Sequence, residues 1–233
     1  MSYVLHYAPD NASLVIRLAL EQVGAPYRCA LVDRRQAAQR SNAYMALKPN
    51  GLIPTLETDQ GPIFETGAIL LWLANRHGGV GPAPDSAERA DFLTWLFFLS
   101  NTVHSALLML FYPEQFIGAD PIHQSTLRAN AANALVRYHT QLNGLVAHGH
   151  TWCGGQKPRA LDFYIAATLH WPAICPRDYD RSWHSMANCP ALHDMCQRLE
   201  TLAPVYSLIQ AEGMNATPFT KPAAPNAPEG SPI

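Results

Sequence analysis

Hydrophobic spacing along the chain changes period once, from short strands interleaved with helices to helices alone. Tyr3–Tyr7 (YVLHY) reads as a strand, ended by the turn Ala8-Pro9-Asp10-Asn11. From Ser13 onward, Leu14, Ile16, Leu18, Leu20 and Val23 suit a helix that Gly24-Ala25-Pro26 stops. Residues 27–32 form a second strand, completing a βαβ unit, and a polar stretch with a short helix at 43–47 follows. Strands near 55–57 and 62–64 are joined through Asp59-Gln60-Gly61, and a helix over 65–75 carries Ala68-Ile69-Leu70-Leu71-Trp72-Leu73, apolar on most faces and so buried. The order β-α-β-α-β-β-α predicts a small helix-covered sheet over residues 1–76.

Residues 77–86 are dense in Gly and Pro and predict a linker. The rest, 87–213, reads as an all-α domain: a long helix over 88–112 closed by Pro113, then 124–146, 160–169 leading to Trp171-Pro172, 191–199 and 205–211. Residues 214–233 are Pro, Ala and Asn with almost no apolar periodicity, which predicts a mobile tail. The fold class is therefore α/β plus all-α.

Composition narrows the function. Hydrophobic residues make up 48% and charged ones 15%, with a net charge of −2 and no run of like charges, so neither a nucleic-acid face nor a polybasic membrane patch is present. Residues 92–111 are apolar enough to raise a membrane span, but Asn101, Thr102, His104 and Ser105 would sit at its centre, so a buried helix is expected. The N-terminal residues carry no secretory signature, which points to the cytoplasm. Five cysteines without a C-x-x-C pair, and ten scattered histidines, predict reduced structural thiols and no metal site.

Residues 47–73 concentrate the chemistry. A Gly turn, an Ile-Pro step, two strands and a helix opened by Glu65-Thr66 can present backbone hydrogen bonds and a helix N-terminus to an anionic, peptide-like ligand. Lys48-Pro49-Asn50-Gly51-Leu52-Ile53-Pro54-Thr55-Leu56 resembles the N-P-x-G-x-V-P-x-L segment of the glutathione transferase superfamily, and Glu65-Thr66-Gly67-Ala68-Ile69 resembles its E-S-x-A-I pattern. Further likenesses to the bacterial beta-class enzymes lie in Trp95 to Leu99 with Val103-His104, in Ala160-Leu161-Asp162-Phe163-Tyr164, and in Asn188-Cys189-Pro190-Ala191-Leu192. Together they cover residues 3–214.

The resemblance implies a thioredoxin-like βαβ-ββα domain followed by a helical bundle, with glutathione as co-substrate, a hydrophobic electrophile as partner and a homodimeric assembly. It implies a cis bond at Ile53-Pro54 that turns the Ile53 backbone toward the cysteinyl unit, and Glu65 and Thr66 as holders of the γ-glutamyl end. Arg34 and Arg35 would meet the glycyl carboxylate, and His104 would face the cleft. Phe98, Leu108, Phe111 and Tyr112 are candidate apolar walls. The thiol must be activated near the first helix start, where the beta-class pattern P-G-x-C-S-L is replaced by Pro9-Asp10-Asn11-Ala12-Ser13-Leu14. With Ala12 at the cysteine position, Ser13 is the first candidate activator, with Asn11 and Tyr7 within reach. Asp10 is expected to face solvent or cap the helix. Arg159 replaces the Ser/Thr that caps the helix start before Asp162, an expected loss of about 1 kcal/mol unless another group substitutes. Loss of the cysteine leaves a second reading open, a glutathione-binding or ligand-carrying protein without catalysis.

Overall fold

Strand β1 (Tyr3–Tyr7) pairs in parallel with β2 (Tyr27–Leu31) on one side and antiparallel with β3 (Thr55–Thr58) on the other. β3 pairs in turn with β4 (Gly61–Phe64), giving the sheet order β2-β1-β3-β4 in this computed structural model, which describes residues 2–232. Strand periodicity sorts the side chains of β1: Tyr3, Leu5 and Tyr7 are buried, with the half-buried Val4 and His6 between them. Helices α1 (Ser13–Val23) and α3 (Thr66–His77) cover the first face, where Trp72 meets Tyr3 edge-on at 5.6 Å. Short helix α2 (Asn42–Leu47) covers the other, where His6 lies 5.7 Å from the Tyr44 ring and 2.7 Å from Glu57.

Helix α1 is buried along every residue from Ser13 to Leu20, although it carries Arg17. The sheet lies against one side of it, while α8 (Ala160–Ile174) and α10 (Ala203–Glu212) lie against the other. Gly24 ends it in the left-handed region at φ 65°, as its sequence predicts.

The long helix expected over 88–112 is continuous but not regular. It comprises α4 (Arg89–Phe97), a π-helical stretch Phe98–Val103, and α5 (His104–Phe111). By length and hydropathy this rod would suffice to cross a membrane, but Phe92, Leu96, Leu99, Val103, Leu107 and Leu110 are wholly buried in the core. The rod is followed by α6 (Glu114–Ile117), α7 (Pro121–Ala147), α8, α9 (Pro190–Glu200) and α10. The missing cap of α8 is compensated: the Asp162 carboxylate accepts from the Arg159 and Gly154 amides at 2.8 and 2.7 Å, and the Arg159 guanidinium donates to the carbonyls of Thr151 and Gly79.

Residues beyond Met214 correct the expectation of a mobile tail. Phe219 is fully buried, and the Glu200 carboxylate accepts from the amides of Phe219 and Thr220, each at 2.8 Å, and from the Thr220 hydroxyl. The Asn226 amide donates to Gly213, and Glu229 accepts the Tyr7 hydroxyl proton. Composition missed this because a single aromatic and one distant carboxylate supply the ordering, and neither leaves a periodic trace. Replacing Phe219 with Ala should lower the unfolding free energy by about 3 kcal/mol, the usual cost of emptying a buried aromatic site. Urea unfolding measures it, and an unchanged midpoint would restore the mobile tail.

Candidate functional site

Gly51 makes the turn that leads into the Ile-Pro step. Its φ is 60°, and a Cβ there would come within 2.6 Å of the Gln39 carbonyl oxygen, so only glycine fits. The Ile53-Pro54 bond is cis. Tyr44 fixes the segment from behind, donating its hydroxyl proton to the Leu52 carbonyl at 2.7 Å with Thr55 Oγ1 at 3.1 Å. Ile53 is half-buried, and its backbone makes no hydrogen bond among the described residues.

Glu65 precedes α3 at φ 68°, a conformation that costs a non-glycine residue about 1–3 kcal/mol and persists where surrounding structure imposes it. One such constraint is Lys48, almost wholly buried, whose Nζ lies 3.3 Å from Glu65 Oε1 and over the Phe64 ring. Burial pulls the Lys48 ammonium below its ordinary value, and Glu65 pulls it back up. The Glu65 side chain remains 61% exposed, and α3 has no side-chain cap, so its first amides are left without partners among the described residues. Behind this helix start, Thr66 is buried, and Nδ1 of His104 lies 2.7 Å from the Tyr164 hydroxyl. Burial raises the Tyr164 phenol, with Glu65 adding to it and the Thr66 hydroxyl opposing. Gly67 permits the close packing of α3 on the π-helical stretch, since a Cβ there would lie 3.2 Å from that of Ser100. Glu65, Thr66 and His104 thus share one junction. The sequence reading missed the two residues that complete it: Lys48, visible only as a departure from the family's Asn, and Tyr164, quoted for its motif without a role.

The three candidate activators are placed unequally. Ser13 is fully buried and donates to the Ala8 carbonyl at 3.0 Å, and the Tyr7 hydroxyl donates to the Glu229 carboxylate. Burial, reinforced by Glu229, pushes the Tyr7 phenol well above its ordinary value. Asn11 alone is partly exposed; its Oδ1 accepts from the Ala12 amide at 2.8 Å, which leaves its amide donors unused within the described residues. Helix α1 also starts without a side-chain cap or an acidic first-turn residue to offset its dipole. The expectation for Asp10 is overturned: it neither faces solvent nor caps α1, but is fully buried at φ 50°, 2.8 Å from His170 Nε2. A buried histidine supplies its counter-charge.

Arg34 bridges to the other half of the molecule, donating to the Tyr112 hydroxyl at 3.2 Å, whereas Arg35 uses only its backbone amide, to Asp33. Of the proposed walls, Tyr112 reaches the segment after β2 through this bond and packs edge-on with Phe111; Phe98 packs edge-on against Trp95 and Tyr138. Leu108 is partly buried on α5.

Residues 2–75 match the family described as glutathione S-transferase, N-terminal domain. The chain is 35% identical to a maleylacetoacetate isomerase of Rhizobium meliloti over 194 residues, 80% of this chain and 85% of that protein. It is 26% identical over 213 residues to a glutathione S-transferase of Xanthomonas campestris, covering 91% and 99% of the two chains. The solved sphingomonad glutathione S-transferase complexed with glutathione superimposes with a TM-score of 0.73 at 28% identity, over 90% of this chain and 98% of that one.

His104 gives the site a pH signature. Burial, against Glu65 and aided by Lys48, pushes its imidazole down from 6.5 to about 4, so the unfolded chain binds the extra proton between those values. Its contribution is fully present above pH 6.5 and is lost as pH falls toward 4. His139 and His184 act in the same direction, and Asp162 and Glu212 in the opposite one, so the test is a difference. The stability gap between the wild type and His104→Gln should shrink by on the order of 2 kcal/mol over that interval in urea unfolding. A gap independent of pH would refute the assignment.

Proposed function

Since the chain belongs to the glutathione S-transferase superfamily, we propose that it binds glutathione and conjugates its thiolate to a hydrophobic electrophile held between the two halves. The observation that carries this reading is the open N-terminus of α3 beside the exposed Glu65 carboxylate. The amides suit the γ-glutamyl carboxylate and Glu65 its ammonium group, while the unpaired Ile53 backbone suits the cysteinyl unit and Arg34 the glycyl carboxylate. Thiol activation then falls to the start of α1, with Asn11 as side-chain donor, because Ser13 and Tyr7 have committed their protons elsewhere.

That same commitment, together with Ala12, favours a second reading in which glutathione is bound without being activated. One calorimetric and thiol-titration experiment separates them. Glu65→Gln should weaken glutathione binding about tenfold, the scale of one lost charge-assisted hydrogen bond. In the wild type the bound thiol should titrate at least one unit below its free value of roughly 8.5, and Asn11→Ala should raise it again with little loss of binding. Binding with an unshifted thiol supports the carrier reading, and no binding removes both.

The assembly we propose is a homodimer in a reducing, cytoplasmic setting. The exposed aromatic rings of Phe64 and Phe97 and the five free cysteines support it. Sedimentation should show a dimer that Phe97→Asp converts to monomer; a monomeric wild type would exclude it.

A further inference from the structure

A cleft of about 480 Å³ opens where the end of α8 meets the tail, and its lining includes none of the residues assigned to glutathione. Ala173, Ile174, Pro222 and Ala224 give it small apolar walls, and Arg177 and Arg181 give it two positive charges. Its size falls within the range of small-molecule sites.

The charges are available. Arg181 is oriented by donating Nη1 to the Ile174 carbonyl at 2.7 Å, which leaves most of its guanidinium donors unused. Arg177 is exposed and has no hydrogen bond or ion pair among the described residues. The acidic groups around them are already engaged: Asp178 lies 3.8 Å from Arg128, Asp180 binds Ser182 through its amide and hydroxyl, and Asp10 is buried against His170. Cys175, at the inner edge of this region, feels the charges together: burial raises its thiol, Asp10 adds to that, and Arg177, Arg181 and Arg34 pull it back.

We infer that this cleft binds a small organic carboxylate with an apolar body, its carboxylate on Arg177 and Arg181 and its body against Ile174, Pro222 and Ala224. Two guanidinium forks match carboxylate geometry, and the alanine and proline walls exclude only bulk. A neutral molecule of the same shape would keep the apolar contacts and lose the charged ones. The site does not depend on the glutathione reading, since none of its lining residues belongs to that assignment.

Calorimetric titration of the full-length protein with para-nitrobenzoate and its neutral amide tests this. The carboxylate should bind at least tenfold more tightly than the amide, and Arg177→Gln with Arg181→Gln should erase that preference while glutathione binding stays unchanged. Because Arg181 also braces the Ile174 carbonyl, Arg177→Gln alone is the safer variant and should weaken para-nitrobenzoate at least threefold. Arg34→Gln, outside the lining, should weaken it less than Arg177→Gln does. Equal binding of acid and amide, indifference to Arg177→Gln, or a loss seen only in Arg34→Gln would each overturn the assignment.

Discussion

Four ionisable side chains with almost no solvent contact join the two halves of this molecule. Arg17 of α1 donates Nε to Glu212 of α10 at 3.0 Å, the Asp10 amide donates to the other Glu212 oxygen, and the Asp10 carboxylate faces His170 of α8. His170 has a carboxylate at Nε2 and the Pro218 carbonyl at Nδ1, 2.6 Å away. Both neighbours are acceptors, so both ring nitrogens must donate and the ring is an imidazolium. Burial works against that charge, yet Asp10 and the Pro218 carbonyl together hold it above its ordinary value. Burial also raises Glu212 to about 7 despite Arg17. Ion pairs this deep gain little net stability over a well-packed apolar substitute, because every charge loses its hydration. Breaking one is another matter, leaving a charge uncompensated at a cost of about 3–5 kcal/mol.

The cluster therefore acts on position more than on stability, and it positions the start of α1. Asp10 sits in a left-handed conformation two residues before the cap of that helix, anchored by both its amide and its carboxylate. The chain from Asp10 to Ser13 must then follow one path, with Ser13 turned inward to Ala8 and Asn11 left at the surface. One set of contacts thus fixes the interface between the halves, the anchor of the tail at Pro218, and the geometry of the start of α1.

Every strand and α-helix of the sheet half was legible in the sequence, because period and turn chemistry are local signals, whereas the 3₁₀ turns Arg34–Gln36 and Ala38–Arg40 were not. The Glu65-Thr66 helix start and the Ile53-Pro54 step were legible for the same reason, each lying within one short segment. What could not be read is pairwise and distant. Asp10 lies 160 positions from His170, Tyr7 lies 222 from Glu229, and Arg17 lies 195 from Glu212. No spacing rule joins such residues, and each taken alone reads as an ordinary polar side chain near a loop or a helix end. The π-helical stretch escaped for a different reason: its apolar residues satisfy a regular helical pattern equally well, and only packing selects the wider turn.

The tail links these levels. Glu229 accepts a hydrogen bond from the Tyr7 hydroxyl while Arg17 lies over the face of the same ring, at 4.9 Å from its centroid, so one aromatic is held by a carboxylate at its tip and a cation on its face. A phenol held this way is a poor donor to an incoming thiolate, because burial and the neighbouring carboxylate both oppose any further negative charge. Ala12 removes the cysteine and Glu229 engages the tyrosine. The electropositive end of α1 and Asn11 are then the groups with donors to offer. Of the first amides of α1, those of Ala12, Leu14 and Val15 already have acceptors, so the donors left are the Ser13 amide and the Asn11 side chain, and the buried charges behind Asp10 hold both in place.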